Sequence, residues 1–398
     1  MAERTNLRRR PSGTRLAMGL MAGTSLDGVD AAVVQLSGSF ENPKFRLLAF
    51  STTPYPAHLR WRLLRVASGE ATTAGELSEL NFRVGEAFAR AAIRLCRRTQ
   101  IDLKRLTVVG SHGQTVFHQG STAGKSRSST LQIGEPALIA HLMGAPVVAD
   151  FRPADMAAGG EGAPLVPMVD YLVLRDDRQG TVALNIGGVA NVTVIPAGAR
   201  PEQVFGFDSG PGNMVIDALA RHFTQGRRQY DSGGRSAARG LVIEPILKRA
   251  LAFSFFRRRP PKSAGREQFG SKFVQRYFLG RSGSGPDRFE DLLCTATELT
   301  ARSIAEALGR LGLPPGSELH RLVVSGGGAS NALLLARLQA LLPTLRVQRS
   351  DGFGLPADAK EAIAFAILGD RTLHALPGNL PSVTGAERAV VLGKLVRP

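Results

Sequence analysis

The sequence predicts a two-lobed α/β protein, and three observations carry that reading. Two loops of small residues hold aspartates, Gly23-Thr24-Ser25-Leu26-Asp27-Gly28-Val29-Asp30 near the start and Phe207-Asp208-Ser209-Gly210-Pro211-Gly212-Asn213 in the middle, and both follow apolar, strand-like runs. The order of elements is duplicated, three strands and then alternating helix and strand in each copy. The chain of 398 residues also exceeds the ~250–300 residues at which a single core stops growing.

In the first copy, residues 17–22, 29–36 and 45–53 are apolar or alternating runs separated by turn chemistry. Residues 58–98 then carry helical periodicity through Leu63, Leu64, Leu77, Leu80, Phe82, Val84, Phe88 and Ile93. Residues 106–110 and 145–150 read as buried strands, with a Ser-rich loop and a helix over 136–143 between them. The pattern restarts with strands at 181–187, 190–195 and 204–208, a helix over 214–223 and a strand over 321–325. The Gly/Ala/Pro-rich stretch 151–167 reads as an ordered crossing between the lobes. Residues 1–15 are basic and read as a frayed tail.

Composition narrows the class of function. The formal charge of +17 is scattered, mostly as arginine, with short clusters at Arg8-Arg9-Arg10 and Arg257-Arg258-Arg259. Aromatics are 6% and no aromatic-basic stacking motif is present, so the charge reads as a solvated surface and not as a specific nucleic-acid reader. No apolar stretch approaches the ~20 residues of a membrane span, and residues 16–22 are too short and too soon interrupted by glycine for a secretory segment. Cys96 and Cys294 lack the spacing of a zinc site or a disulfide framework, which points to a reducing cytoplasm. The segment Gly120-Ser121-Thr122-Ala123-Gly124-Lys125-Ser126 mimics a P-loop but is one residue short between its glycines and leads into no helix.

The chemistry of the two aspartate loops is that of phosphate handling. Glycine lets backbone N–H groups approach phosphate oxygens, while hydroxyls and a carboxylate serve the phosphates or a metal. Taken alone, the loop 23–30 reads equally well as a hairpin turn, for which Asp-Gly is a common signal. Asp208, at the end of a predicted strand and just before a helix, is placed either to accept a proton or to cap that helix, although Asn213 is the better cap candidate. The triple glycine 326–328 either admits a flat ligand or makes a tight strand-to-helix turn, with Ser330-Asn331 opening the next helix. His112 and His118 have no further ligand cluster; His112 either orients a substrate or belongs to a hydrogen-bonded scaffold.

Together these blocks resemble one family. They are Gly19–Asp30, Ser111-His112-Gly113-Gln114-Thr115, Gln132-Ile133-Gly134-Glu135-Pro136, Asp150-Phe151-Arg152, Ala157-Ala158-Gly159-Gly160, Gly162–Pro167, Asn185-Ile186-Gly187-Gly188-Val189-Ala190-Asn191, the Asp208 loop, Ser325–Asn331, and Asp358-Ala359-Lys360-Glu361-Ala362. In this order, over residues 18–397, the set resembles the anhydro-N-acetylmuramic acid kinases, cytoplasmic sugar kinases of cell-wall recycling in the sugar kinase, heat-shock ATPase and actin superfamily. It departs at His118-Gln119-Gly120, where proline is expected after the histidine, and at Ala22, where serine is usual.

The resemblance implies two RNase H-like (actin-like ATPase) lobes around a central cleft: 15–155, 156–375, and a segment 376–398 that returns to the first lobe together with the closing helix 362–373. It implies ATP and Mg²⁺ as cofactors, with the nucleotide held by Gly23, Thr24, Ser25, Leu26, Asp27, Gly28, Val29, Asp30, Gly187, Gly326, Gly327 and Gly328, and with Asp27 near the metal. It assigns Asp208 as the base, and Arg152 and Glu361 to the sugar, where the arginine fork suits a lactyl carboxylate. The implied reaction is phosphorylation of 1,6-anhydro-N-acetylmuramic acid at O6 with hydrolytic opening of the anhydro ring, in a homodimer. Two alternatives stay open: a kinase of the same superfamily acting on an ordinary sugar hydroxyl, and a non-catalytic ATP-driven switch.

Overall fold

The computed structural model describes residues 13–120, 128–260, 262–280, 288–313 and 317–398. Residues 121–126 of the pseudo-P-loop and the basic tail up to residue 12 lie outside the described residues. The chain divides into two compact units, one formed by the described residues up to Val173 with Ala359–Pro398, the other by Leu174–Asp358.

In the first unit, β1 (Arg15–Ala22), β2 (Gly28–Gly38) and β3 (Pro43–Pro54) form an antiparallel meander. On its other side β1 takes β4 (Leu106–Gln119) in parallel, and β4 takes β6 (Val147–Ala149) in parallel. A short β5 (Ser129–Ile133) folds back on the extended end of β4, where a Ser-rich loop was expected. The order β3-β2-β1-β4-β6 is that of an RNase H-like sheet.

Alternation along β1 decides what covers each face. Leu16, Met18, Leu20 and Ala22 join Leu80, Val84 and Phe88 of the helix Ala74–Thr99 in the core. Gly19 and Gly110 face the helix Lys360–Leu373, and a Cβ at either would strike that helix's backbone, at Ala362 and Phe365. The single helical run expected over 58–98 is two helices, Ala57–Ala67 and Ala74–Thr99, the second capped by Thr73, whose side chain accepts from the Glu76 amide.

The second unit repeats the design. In it, β7 (Gly180–Ile186), β8 (Val189–Ile195) and β9 (Phe205–Pro211) are antiparallel, and β7 continues in parallel to β10 (Leu319–Ser325) and β11 (Arg346–Arg349). The order β11-β10-β7-β8-β9 matches the first sheet, so both units have the fold class the duplication predicted. Val182, Leu184 and Ile186 pack with Ile304 of the helix Phe289–Gly309 and with Leu334 of the helix Ala332–Leu341.

The unit boundaries differ from those expected at 155 and 375. The helices Phe151–Ala157 and Val166–Leu174 stay with the first sheet because polar ties hold them there. Buried Asp155 accepts from Asn379 Nδ2 and Thr384 Oγ1, each at 2.7 Å, and Lys360 pairs with Asp170 at 2.8 Å. The helix Lys360–Leu373 belongs to the same unit, and β12 (Lys394–Val396) closes the chain antiparallel to β6.

Candidate active site

The turn between β1 and β2 sorts its residues by exposure. Thr24, Ser25 and Asp27 are exposed, whereas Leu26, Gly28 and Val29 are buried. The turn closes through Leu26 N–H donating to Gly23 O at 3.2 Å, with Leu26 at φ 54°, a left-handed conformation unusual for a leucine. Gln114 of β4 donates to Gly23 O and Arg60 donates to Leu26 O, so the neighbouring carbonyls are held and the hydroxyls and carboxylate face outward. Gly28 has a packing reason of its own, since a Cβ there would strike Thr53 and Pro54 backbone. Gly23 has none: an added Cβ would meet only Ser25 Oγ at 3.6 Å. Asp30, on β2, accepts from Thr52 Oγ1 at 2.6 Å.

A second cluster in the same unit is built around Arg152. Its Nε donates to His112 Nε2 at 3.1 Å and its Nη1 donates to Gly162 O at 3.0 Å. Gly162 is fixed in turn by its N–H, which donates to Asp155 Oδ2 at 2.8 Å, and Asp155 is a residue that sequence reasoning passed over. His112 lies 3.0 Å from Gly113 O through Nδ1, so the neutral ring carries its proton there and accepts at Nε2. Burial, and then the Arg152 charge, push the His112 pKa down to about 3. His112 thus joins a hydrogen-bonded cluster with Arg152 and Gly113. His118 instead sits on the exposed end of β4 beside Thr130 Oγ1, at 3.0 Å.

Glu361 stands in the first turn of the helix Lys360–Leu373, close enough to Asp30 and Arg152 to feel both charges. Its side chain reaches solvent, yet desolvation by the surrounding protein, followed by Asp30, raises its carboxyl above the usual range. Ser111, His112, Gln132, Glu135 and Asp150, drawn from three separate motif blocks, line one pocket of about 400 Å³ in this unit. Ser111 Oγ is buried there with no hydrogen-bond partner among the described residues.

In the second unit, Asp208 lies within β9 and not at its end, because the strand runs on to Pro211. The register with β8 shifts between Ala190 and Asn191, a bulge of the kind that re-aims side chains beside functional sites. The loop after residue 261 docks on this edge strand. Asp208 N–H donates to Lys262 O at 3.0 Å, and Ala264 N–H donates to Asp208 Oδ2 at 2.7 Å. Desolvation raises the Asp208 carboxyl to about 6 against the opposing pull of the Ala264 amide and Lys262. A carboxyl at that value is ionised at neutral pH and basic enough to accept a proton in a transition state.

The glycine loops of this unit gather at the ends of β7 and β10. Asn213 N–H donates to Gly187 O at 2.8 Å, and Gly326, at φ 76°, lies against Asn185 and Ile186, where a Cβ would not fit. Gly328 is likewise needed for its packing on Ile186, which leaves Gly327 as the one of the three with open backbone. Asn331 caps the following helix by accepting from the Leu334 amide at 3.0 Å. Asn213 precedes its helix but makes no side-chain cap, since its Nδ2 donates to Ile186 O.

The exposed donors of the first unit fit a nucleotide's phosphates. Among the described residues no group of three His, Cys, Asp or Glu side chains could hold a metal by itself. A lone exposed carboxylate such as Asp27 fits magnesium carried on nucleotide phosphates, because that ion keeps its waters and takes one or two carboxylates plus phosphate oxygens.

Duplicated RNase H-like sheets, one with a turn of exposed hydroxyls and a carboxylate and the other with a half-buried carboxyl raised toward neutrality, define a two-sheet α/β protein of the actin-like class. The particular family follows from comparison. The family model described as Anhydro-N-acetylmuramic acid kinase matches residues 15–398. A protein of that name from Gloeobacter violaceus is 46% identical over 378 residues, covering 95% of this chain and 97% of its own. Its namesake from Caldanaerobacter subterraneus subsp. tengcongensis is 40% identical over 384 residues, 96% of both chains. One from Bacillus cereus is 41% identical over 384 residues, 96% of this chain and 98% of that one. The chain belongs to the anhydro-N-acetylmuramic acid kinase family. Among the described residues, no helix is long and apolar enough to cross a membrane.

Proposed function

We propose that this kinase phosphorylates 1,6-anhydro-N-acetylmuramic acid at O6 and opens the anhydro ring in the same reaction, giving N-acetylmuramic acid 6-phosphate and ADP. The observation that carries the reading is Asp208, a half-buried carboxyl raised to about 6 whose Oδ2 accepts from the Ala264 amide. Its ionised form takes a proton from a water that attacks the anomeric carbon. The bond from that carbon to O6 breaks, O6 takes the γ-phosphoryl group, and ADP leaves. Ordinary glycoside hydrolysis needs a second carboxyl group to protonate the departing oxygen, and here the phosphoryl group captures it.

Thr24, Ser25 and Asp27, with the open backbone of Gly23, would hold the ATP phosphates; Gly327 offers further backbone to the nucleotide, whereas the Gly187 N–H already donates to Val189 O. Magnesium, when bound, neutralises charge on the transferred phosphoryl group. Arg152, fixed by His112 and Gly162, presents its remaining guanidinium donors to the sugar's carboxylate, and Glu361 accepts from its hydroxyls. The pocket lined by Ser111 and Glu135 reaches this cluster through His112, and neither Arg152 nor Glu361 lines it. The family resemblance adds a homodimer, a cytoplasmic location and a role in cell-wall recycling to the proposal.

Turnover in ¹⁸O-water tests it. Label at the anomeric position of the sugar phosphate and none in the phosphoryl group, sampled before the free reducing end exchanges with solvent, is the expected result. Absence of label at first turnover would fit a kinase of an ordinary hydroxyl, and release of unphosphorylated N-acetylmuramic acid would mean that the ring opens in a separate step. ATP binding with no sugar-dependent turnover would leave a nucleotide switch.

A further inference from the structure

The arginine cluster noted in the sequence has a structural counterpart that the proposed reaction does not use. β9 is the edge strand of the second sheet, and beside it opens a pocket of about 650 Å³ lined by Arg257, Arg258, Arg259, Lys262 and Arg310. No acidic side chain is among the described residues that line it. Arg310 is neutralised by Glu306 at 2.7 Å, whereas the three consecutive arginines are exposed and make no ion pair among the described residues.

Lys262 is the informative member. It is 9% exposed, and its ammonium has no hydrogen-bond acceptor among the described residues. Its Nζ sits 4.7 Å from the centre of the Phe255 ring and 6.0 Å from that of Phe207, which is partial compensation for lost water. Arg310 and Arg258 both oppose its charge, and only the Asp208 carboxylate favours it. A largely covered lysine whose ammonium opens on a wall of like charges, with no acceptor among the described residues, is an arrangement that an anion completes.

We propose that this pocket binds a small phosphomonoester carried on a ring. Guanidinium forks match phosphate oxygens in pairs, and a dianion offsets more of the accumulated charge than a carboxylate does. Phe205, Phe207 and Phe256 supply an apolar wall for the ring. The volume lies within the ~300–1,000 Å³ of small-molecule sites.

The test reads Lys262 itself. The full-length protein is labelled with acetic anhydride, alone and with glucose 6-phosphate, inorganic phosphate or glucose, and modification of each lysine is read by peptide mass spectrometry. Glucose 6-phosphate should protect Lys262 best and glucose not at all. Calorimetric affinity for glucose 6-phosphate should fall ~10-fold or more in Arg258→Ala, the scale of one lost charge-assisted hydrogen bond, and comparably in Arg257→Ala. Both positions are exposed, and an unchanged melting curve excludes a folding effect. Protection that survives both substitutions, equal protection by inorganic phosphate, or a Lys262 unreactive in the free protein would each overturn the proposal.

Discussion

Replacement of Asp208 by asparagine separates what the fold wants from what the chemistry wants. The side chain is nearly isosteric, and its oxygen can still accept from the Ala264 amide, which lies 2.7 Å from Asp208 Oδ2. What changes is the charge. A carboxyl raised from 3.8 to about 6 opposes its own ionisation in the folded state by at most ~3 kcal/mol, since a tenfold change in proton affinity is ~1.36 kcal/mol. The folded value lies above the unfolded one, so the folded chain binds this proton more tightly and the ionised group destabilises the fold at high pH. The penalty is absent below about pH 4, grows as pH rises to about 6, and is constant above.

Asp208→Asn should therefore melt with the wild type at pH 3.5 to 4 and progressively later above it, with the gap flat beyond pH 6 to 7. For a unit of this size ~1 kcal/mol corresponds to ~2–4 °C, so several degrees are expected in calorimetric scans across pH. Turnover should fall at least ~10²-fold, the scale of general-base catalysis, with ATP affinity retained. In the wild type, kcat should fall as pH drops through about 6. Equal melting at every pH would refute the desolvation of an ionised carboxyl, and near-normal turnover would remove Asp208 from its role.

Three further outcomes are expected. Gly23→Val, where a new Cβ meets only Ser25 Oγ at 3.6 Å, should fold normally and weaken ATP binding; unchanged calorimetric affinity would contradict the phosphate role of the turn. Glu361→Ala should lower sugar-dependent turnover and leave ATP affinity nearly intact, since a bound sugar hydroxyl loses its acceptor, whereas equal loss of both would make it a scaffold residue. His112→Ala removes the acceptor that aims Arg152 and should raise KM for the sugar more than it lowers kcat. No rate change near pH 6.5 should trace to His112, whose ring stays neutral down to about pH 3, and a profile shift there on mutation would refute this.

Much of the architecture was legible because it rests on local periodicity and turn chemistry. The helices Pro136–Met143 and Met214–Phe223 lie where the apolar pattern places them, and the strands of both copies agree to within a few residues at most ends. The helical run after β3 read as one helix because helical spacing resumes at Leu77 after the polar stretch 68–73, which in the structure separates two helices. The end of β4 and β5 read as loop because their pairing is with each other, so neither carries a buried-face alternation of its own. Asp208 read as the end of a strand because Gly-Pro-Gly signals a stop, yet pairing with β8 carries β9 through that signal.

The sequence by itself determined the duplicated element order, the two aspartate loops and the family, because each is written in residues near one another in the chain. Tertiary structure alone decided which glycines serve the fold: Gly19, Gly110, Gly28, Gly326 and Gly328 each lie against backbone or side chains from a distant segment. It also decided that His112 and Asp155 fix Arg152, and that Lys262 meets Asp208 across an edge strand. The physical reason is the same in each case. A hydrogen bond, a desolvated charge and a missing Cβ take their meaning from the partner that folding brings against them, and no spacing along the chain encodes that partner.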